Sequence, residues 1–265
     1  MNRFDATFTA LKQNNETALV GFVSAGDPDF DTSLAIIDAM ASAGLDVLEL
    51  GIPFSDPTAD GPVIQRSSQR ALENGMSLSR AMDMVAAIRA KHPELPIVLF
   101  SYYNPILAMG QNEFYAKATA AGADGALIVD LPPEEAPELT SQFDGEFPLI
   151  HLVAPTTSPE RQKQILASAE AFVYLISRTG VTGSGELDTS SIAGHVAEIR
   201  DATSAPICVG FGISTPDHVR AIGSDADGVV IGSAFERIIE DGLDVPAELP
   251  EKLGAYVRDL KAACK

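Results

Sequence analysis

Tryptophan is absent from this 265-residue sequence, and Cys208 and Cys264 are its only cysteines. Cys208 lies in an apolar stretch and Cys264 one residue from the C-terminus. A disulfide between them is not expected, and two cysteines alone cannot make a zinc site. Positive charge is also scarce. Eighteen Lys and Arg face 37 Asp and Glu, a net charge of −19 with no basic cluster, which argues against a nucleic-acid partner. No apolar run approaches the roughly 20 residues that span a bilayer. The opening residues, Met1 to Thr7, lack the basic-then-apolar pattern of a secretory signal. These absences lead to the expectation of a cytoplasmic protein without membrane or nucleic-acid partners.

Several catalytic signatures are missing as well. There is no Gly-x-x-x-x-Gly-Lys loop for a nucleoside triphosphate and no Gly-x-Ser-x-Gly elbow. No lysine falls in an expected strand, which disfavours a Schiff-base aldolase. His92, His151, His195 and His218 share no metal-ligand spacing, so no metal is expected. His151 alone sits in an expected strand, from which it could point inward.

What is present is a regular alternation. A short amphipathic helix is expected over Phe4 to Lys12. Strands are expected at Ala18–Ser24, in the stretch around Val47–Ile52, and at Pro96–Tyr102, Ala126–Asp130, Pro148–Val153, Ala171–Ile176, Pro206–Val209 and Gly228–Ile231. Helical spacing or a cap follows most of them. Ser77, Ser158-Pro159 and Thr215-Pro216 read as helix starts, and Gly122 as a stop. The third strand is expected to end at Asn104-Pro105, and a helix is expected from Glu134. Eight βα units with no linker between them predict a single α/β domain over residues 1–265. Its fold is a (β/α)8 TIM barrel with an extra N-terminal helix and a short helix, Ser233 to Glu240, after strand eight. An open doubly wound sheet is the alternative, but its Gly-x-Gly-x-x-Gly turn is missing after the first strand.

The chemistry concentrates where the second strand stops. Val47, Leu48, Leu50 and Ile52 suit a strand buried on both faces, yet Glu49 sits among them. A buried carboxylate is costly unless something pairs with it or uses it. Pro53, Pro57, Gly61 and Pro62 then impose a loop that carries Ser55, Asp56 and Asp60. In barrels the carboxyl ends of strands carry the chemistry. Glu49, Asp60 and Asp130 are therefore candidate acids, although Asp130 suits a structural role in its loop equally well. The late loops are rich in glycine: Gly180, Gly183 and Gly185 after strand six, Gly210 and Gly212 after strand seven, Gly232 before Ser233 after strand eight. One such glycine suits a tight turn; three adjacent loops of them, next to a helix N-terminus, favour a phosphate. Phe22, Phe100, Tyr102, Leu127, Val129, Tyr174 and Phe211 could form an apolar slot or simply fill the core.

Motifs along the whole chain resemble those of the tryptophan synthase alpha chain family. They are Val23-Ser-Ala-Gly-Asp-Pro28, Leu48-Glu-Leu-Gly-Ile-Pro-Phe-Ser-Asp-Pro57, Ala59-Asp-Gly-Pro-Val-Ile-Gln65, Tyr102-Tyr-Asn-Pro105, Asp130-Leu-Pro-Pro-Glu-Glu135, Ser177-Arg-Thr-Gly-Val-Thr-Gly183, Gly210-Phe-Gly-Ile213 and Gly232-Ser-Ala234. Thr58 departs from the family's usual aliphatic residue, next to a loop expected to meet a partner. The resemblance implies retro-aldol cleavage of indole-3-glycerol phosphate to indole and glyceraldehyde 3-phosphate, without metal or Schiff base. It implies no cofactor in this chain and an alpha2beta2 complex with a beta subunit. That subunit carries pyridoxal phosphate and joins the indole to serine. The resemblance further implies that Glu49 is general acid and base, and that Asp60 holds the indole N–H. The expected substrate-binding residues are Phe22, Tyr102, Tyr174 and Phe211 around the ring and Gly183, Gly212, Gly232 and Ser233 around the phosphate. Thr182 is expected to bond Asp60 when the loops 53–62 and 178–190 close. A rigid surface turn at the prolines, an allosteric subunit with little activity, and a lyase that needs no partner are the alternatives.

Overall fold

The structure is a computed structural model that describes residues 2–141, 143, 147–177, 189–210 and 212–265. The elements run α1 (Arg3–Asn14), β1 (Ala18–Ser24), α2 (Phe30–Ser42), β2 (Val47–Gly51), α3 (Pro62–Glu73), α4 (Leu78–Lys91), β3 (Ile97–Ser101), α5 (Tyr103–Met109), α6 (Gln111–Ala121) and β4 (Gly125–Ile128). They continue α7 (Ala136–Thr140), β5 (His151–Val153), α8 (Pro159–Leu166), β6 (Val173–Ile176), α9 (Thr189–Arg200), β7 (Ile207–Gly210), α10 (Pro216–Gly223), β8 (Gly228–Ile231), α11 (Ser233–Asp241) and α12 (Leu249–Ala262). The strands are parallel in the order β4-β3-β2-β1-β8-β7-β6-β5. The two ends of that row meet. Ala126 donates to Pro148 O at 3.0 Å and accepts from Ile150 N–H at 2.8 Å, one bridge that closes the barrel.

Period-two alternation sorts the strand residues between two cores. Val20, Val47, Val98, Leu127, Ile150, Tyr174, Cys208 and Val230 fill the barrel interior. Leu19, Leu48, Leu50, Leu99 and Val209 pack outward beneath the helices. Phe4 and Phe8 of α1 join the interior cluster and lie against Phe172, so α1 plugs the amino end of the barrel. Arg3 and Arg89 both reach Asp124 at 2.7 Å, and Asp124 also accepts the Ile97 N–H at 2.8 Å. The carboxyl end is left open for chemistry.

The expected helix starts are present. Ser77, Ser158 and Thr215 each accept a backbone N–H three residues on, and Gly122 ends α6 with φ 93°. Three local expectations need correction. Asn104-Pro105 does not simply end a strand, because α5 begins at Tyr103. Pro105 is its third residue, where no intrahelical donor is needed, and Asp130 takes the Tyr103 N–H at 2.7 Å. The helix expected from Glu134 starts at Ala136, since Pro132 O caps a turn over residues 132–136. His151 does not point inward. Ile150 and Leu152 hold the interior positions on either side of it, and its ring meets Ser168 Oγ at 3.3 Å outside the barrel.

The seam depends on a missing side chain. A Cβ at Gly125 would lie 2.7 Å from Pro148 O, so only glycine lets β4 approach this close. Gly125→Ala is expected to destabilise the fold by about 1–3 kcal/mol. Gly194, exposed in α9 with nothing within 4 Å of a built Cβ, is the contrast. Gly194→Ala is expected to stabilise by about 0.5–1 kcal/mol. Urea unfolding of the two variants checks both signs.

Candidate active site

Glu49 faces the interior because Val47, two residues earlier on β2, does. It stands beside Phe22 on β1 and Val98 on β3. Its side chain is buried, and neither carboxyl oxygen has a hydrogen-bond partner among the described residues. No described lysine or arginine pairs with it. Burial pushes its pKa up to about 8. At neutral pH the group is a protonated acid, able to donate a proton and to take it back.

Glycines on the inward face make room around it. A Cβ at Gly51 would overlap the Phe22 ring, one at Gly210 the Tyr174 phenol, and one at Gly228 the Cys208 sulfur. Burial, and then the charge of Glu49, push the Tyr174 phenol well up. Phe22 meets Phe100 edge-on at 5.1 Å. Phe22, Gly51, Ile52, Ile64, Phe100 and Tyr102 then line a cleft at the carboxyl end of the barrel, with Ser24, Ser68 and Asp60 at its polar edge.

Asp60 reaches this cleft from the loop between β2 and α3. Its Oδ2 accepts from the Tyr102 hydroxyl at 2.9 Å, and the same hydroxyl accepts the Ala59 N–H at 3.0 Å. Gln65 holds the Asp60 carbonyl at 2.8 Å, and Ser68 Oγ takes the Phe54 N–H at 2.9 Å at the loop's other end. Burial raises the Asp60 pKa to about 6, against the pull of the Tyr102 hydrogen bond. Tyr102, expected as a wall of the apolar slot, thus also positions an acid. Between these anchors Ser55, Asp56, Thr58 and Ala59 are exposed.

Gly232 caps α11 and Ser233 opens it, both half-buried, with Gly232 close to Phe22. Gly212 follows β7 with φ 84°, a conformation that favours glycine. Thr182, Gly183 and Phe211, three of the expected site residues, lie outside the described residues. Among the described residues no group of three or more His, Cys, Asp or Glu could hold a metal ion. Asp130 serves the N-terminus of α5 rather than the cleft.

Sequence reading missed a clamp behind the cleft. Arg66 grips Glu240 through two bonds of 2.6 and 2.8 Å, and Arg70 grips Asp27 at 2.8 and 2.7 Å while reaching Glu240 at 3.2 Å. Glu236 accepts the Ser24 N–H at 2.5 Å. The signal was faint: two arginines four apart on one helix, two acids four apart on another. Such pairs usually bond within a helix or face water, and only the fold sets them opposite each other.

Residues 8–265 match a family model described as tryptophan synthase alpha chain. A tryptophan synthase alpha chain of Desulfatibacillum aliphaticivorans is 58% identical over 260 residues, covering 98% of this chain and 97% of that one. A second, from Desulfosudis oleivorans, is 58% identical over 266 residues and the full length of both. The crystal structure of tryptophan synthase subunit alpha from Legionella pneumophila superposes with a TM-score of 0.91 at 35% identity, covering 100% of this chain and 98% of that one.

The raised pKa of Glu49 has a sign that stability measurements can read. The folded chain keeps a proton on Glu49 up to about pH 8, whereas the unfolded carboxyl loses it near 4.5. The folded state binds more protons in that window, so this group's contribution to stability declines as pH rises through it, by up to ~1.4 kcal/mol per unit. Below the window the carboxyl adds no such penalty, and above it the penalty is constant. Glu49→Gln, which stays neutral, is expected to gain stability over the parent progressively between pH 5 and about pH 8. Paired urea titrations across that range check it; parallel curves would refute it.

Proposed function

This chain belongs to the tryptophan synthase alpha chain family, and from that membership we propose that Glu49 and Asp60 carry out its chemistry. The reaction is the family's carbon–carbon lyase step, cleavage of indole-3-glycerol phosphate to indole and glyceraldehyde 3-phosphate. The bond between indole carbon 3 and the glycerol chain breaks once that carbon carries a proton. Protonation leaves positive charge at the ring nitrogen. The adjacent glycerol hydroxyl then gives up its proton and becomes the aldehyde, and the electrons of the broken bond restore the indole. Glu49 delivers the first proton and accepts the second, so it ends as it began. Asp60 holds the indole N–H and stabilises the charge that develops there. The observation that carries this reading is the Glu49 carboxyl itself, buried on the inward face of β2 with no partner among the described residues.

Phe22, Tyr102 and Tyr174 flank the indole in this proposal, with Phe211 and Thr182 assigned from the family motif alone. Gly212, Gly232 and Ser233 hold the phosphate, with Gly183 closing over it. A helix N-terminus offers unpaired N–H groups and the positive end of the α11 dipole. Residues 1–265 act as one catalytic domain. The family implies a beta-subunit partner. The finer proposal is an alpha2beta2 assembly in which the beta subunit carries pyridoxal phosphate and this chain carries no cofactor. Among the described residues no helix is long and apolar enough to cross a membrane. A cytoplasmic site of action is proposed with the assembly.

Glu49→Gln is expected to lower the turnover of indole release at least about a hundredfold while leaving glyceraldehyde 3-phosphate binding intact. Near-parental turnover would remove Glu49 from its role. Gly232→Ala tests the phosphate end with little steric change, since the added methyl would meet Phe22 Cβ at 3.4 Å, an ordinary contact. It is expected to weaken phosphate-ester binding about tenfold by keeping the anion from the backbone. Unchanged affinity for glyceraldehyde 3-phosphate by calorimetry would move the phosphate elsewhere.

A further inference from the structure

Glu236 plays no part in the chemistry above, yet it is a carboxyl group with no solvent exposure. It lies in the first turn of α11, three residues after Ser233. Its Oε1 accepts the Ser24 N–H at 2.5 Å, while Oε2 is buried without a hydrogen-bond partner among the described residues. Asp27, from the segment after β1, and Arg70, from α3, face it. Burial, and then the neighbouring Asp27, push its pKa well above the ordinary carboxylate value. An apolar side chain would fill this space without the desolvation cost.

The contacts continue from Ser24. Its hydroxyl bonds the Ser67 hydroxyl at 2.7 Å, and Ser67 reaches the Ile64 carbonyl at 2.9 Å in the first turn of α3. That turn follows directly on Asp60 and Gly61, and the adjacent Ser68 holds Phe54 at the other end of the same loop. Glu236, Ser24, Ser67 and Ser68 are all buried. One unbroken chain of polar contacts thus joins the N-terminal turn of α11, the end of β1 and the start of α3. We infer that Glu236 is a positioning residue: it fixes the first turn of α11 against β1 and, through Ser24 and Ser67, against the helix that carries the Asp60 loop. The inference rests on the proposal that α11 holds the phosphate and Asp60 the indole.

Four variants test it, with indole-release kinetics, inorganic phosphate as the binding probe, and urea unfolding to confirm folding. Glu236→Gln keeps a neutral acceptor for Ser24 and is expected to hold turnover, KM and phosphate Kd within about twofold of the parent. Glu236→Leu removes the acceptor and is expected to raise phosphate Kd and KM, and to lower turnover, each about tenfold. Ser67→Ala cuts only the arm toward α3, so turnover falls about threefold while phosphate Kd stays at the parental value. A purely structural role would lower stability without splitting these constants. Parental turnover and phosphate Kd in Glu236→Leu, or parental turnover in Ser67→Ala, overturns the inference; if Glu236→Leu does not fold, Glu236→Gln and Ser67→Ala decide it. Gly232→Ala separates the two readings. If it leaves phosphate Kd unchanged, the phosphate reading of α11 fails, and this inference with it. If it weakens phosphate and Glu236→Leu does not, only the positioning inference fails.

Discussion

A carboxyl group buried inside a barrel with no donor to meet it among the described residues is the constraint on which the rest of this structure turns. Glu49 occupies an interior position that every neighbouring strand fills with an apolar side chain. In water its ionised form would be favoured near neutrality; here desolvation reverses that preference. The fold must therefore carry an unfavourable group at its centre. The stability to do so comes from the outer core, where Leu48 and Leu50 on the same strand pack beneath the helices.

Space for chemistry is made by omission. Gly51, Gly210 and Gly228 each leave a void on the inward face, and Phe22, Tyr174 and Cys208 occupy those voids. The rings are thereby drawn into the barrel wall instead of crossing its mouth. Tyr102 shows the same economy, giving an apolar face to the cleft while its hydroxyl sets Asp60. Asp60 and Glu49 differ in kind for this reason. One has a hydrogen-bond donor and a pKa near 6; the other is fully buried with no partner among the described residues, and its pKa rises further.

Behind the cleft, α3 and α11 are held together by Arg66, Arg70 and Glu240 at the rim and by Ser24, Ser67 and Glu236 within. The rim pairs are partly exposed and screened, so each contributes little alone. The buried contacts set geometry. They link α3 and α11, helices that the chain itself separates by more than 150 residues.

By itself the sequence determined the eightfold alternation, the helix starts at Ser77, Ser158 and Thr215, and the acid set among the apolar residues of β2, because these depend on local periodicity and capping chemistry. Its motifs also identified the family. Local pattern failed where a neighbour distant in the chain decided the outcome. Pro105 sits within α5 because Asp130 satisfies the helix start, and His151 faces outward because its strand takes its inward register from Ile150 and Leu152. Only the tertiary structure could show that Glu49 has no partner among the described residues, that Tyr102 holds Asp60, and that Glu236 meets Ser24. Burial and pairing are properties of what surrounds a residue, and for these the surroundings come from strands and helices far away in the chain.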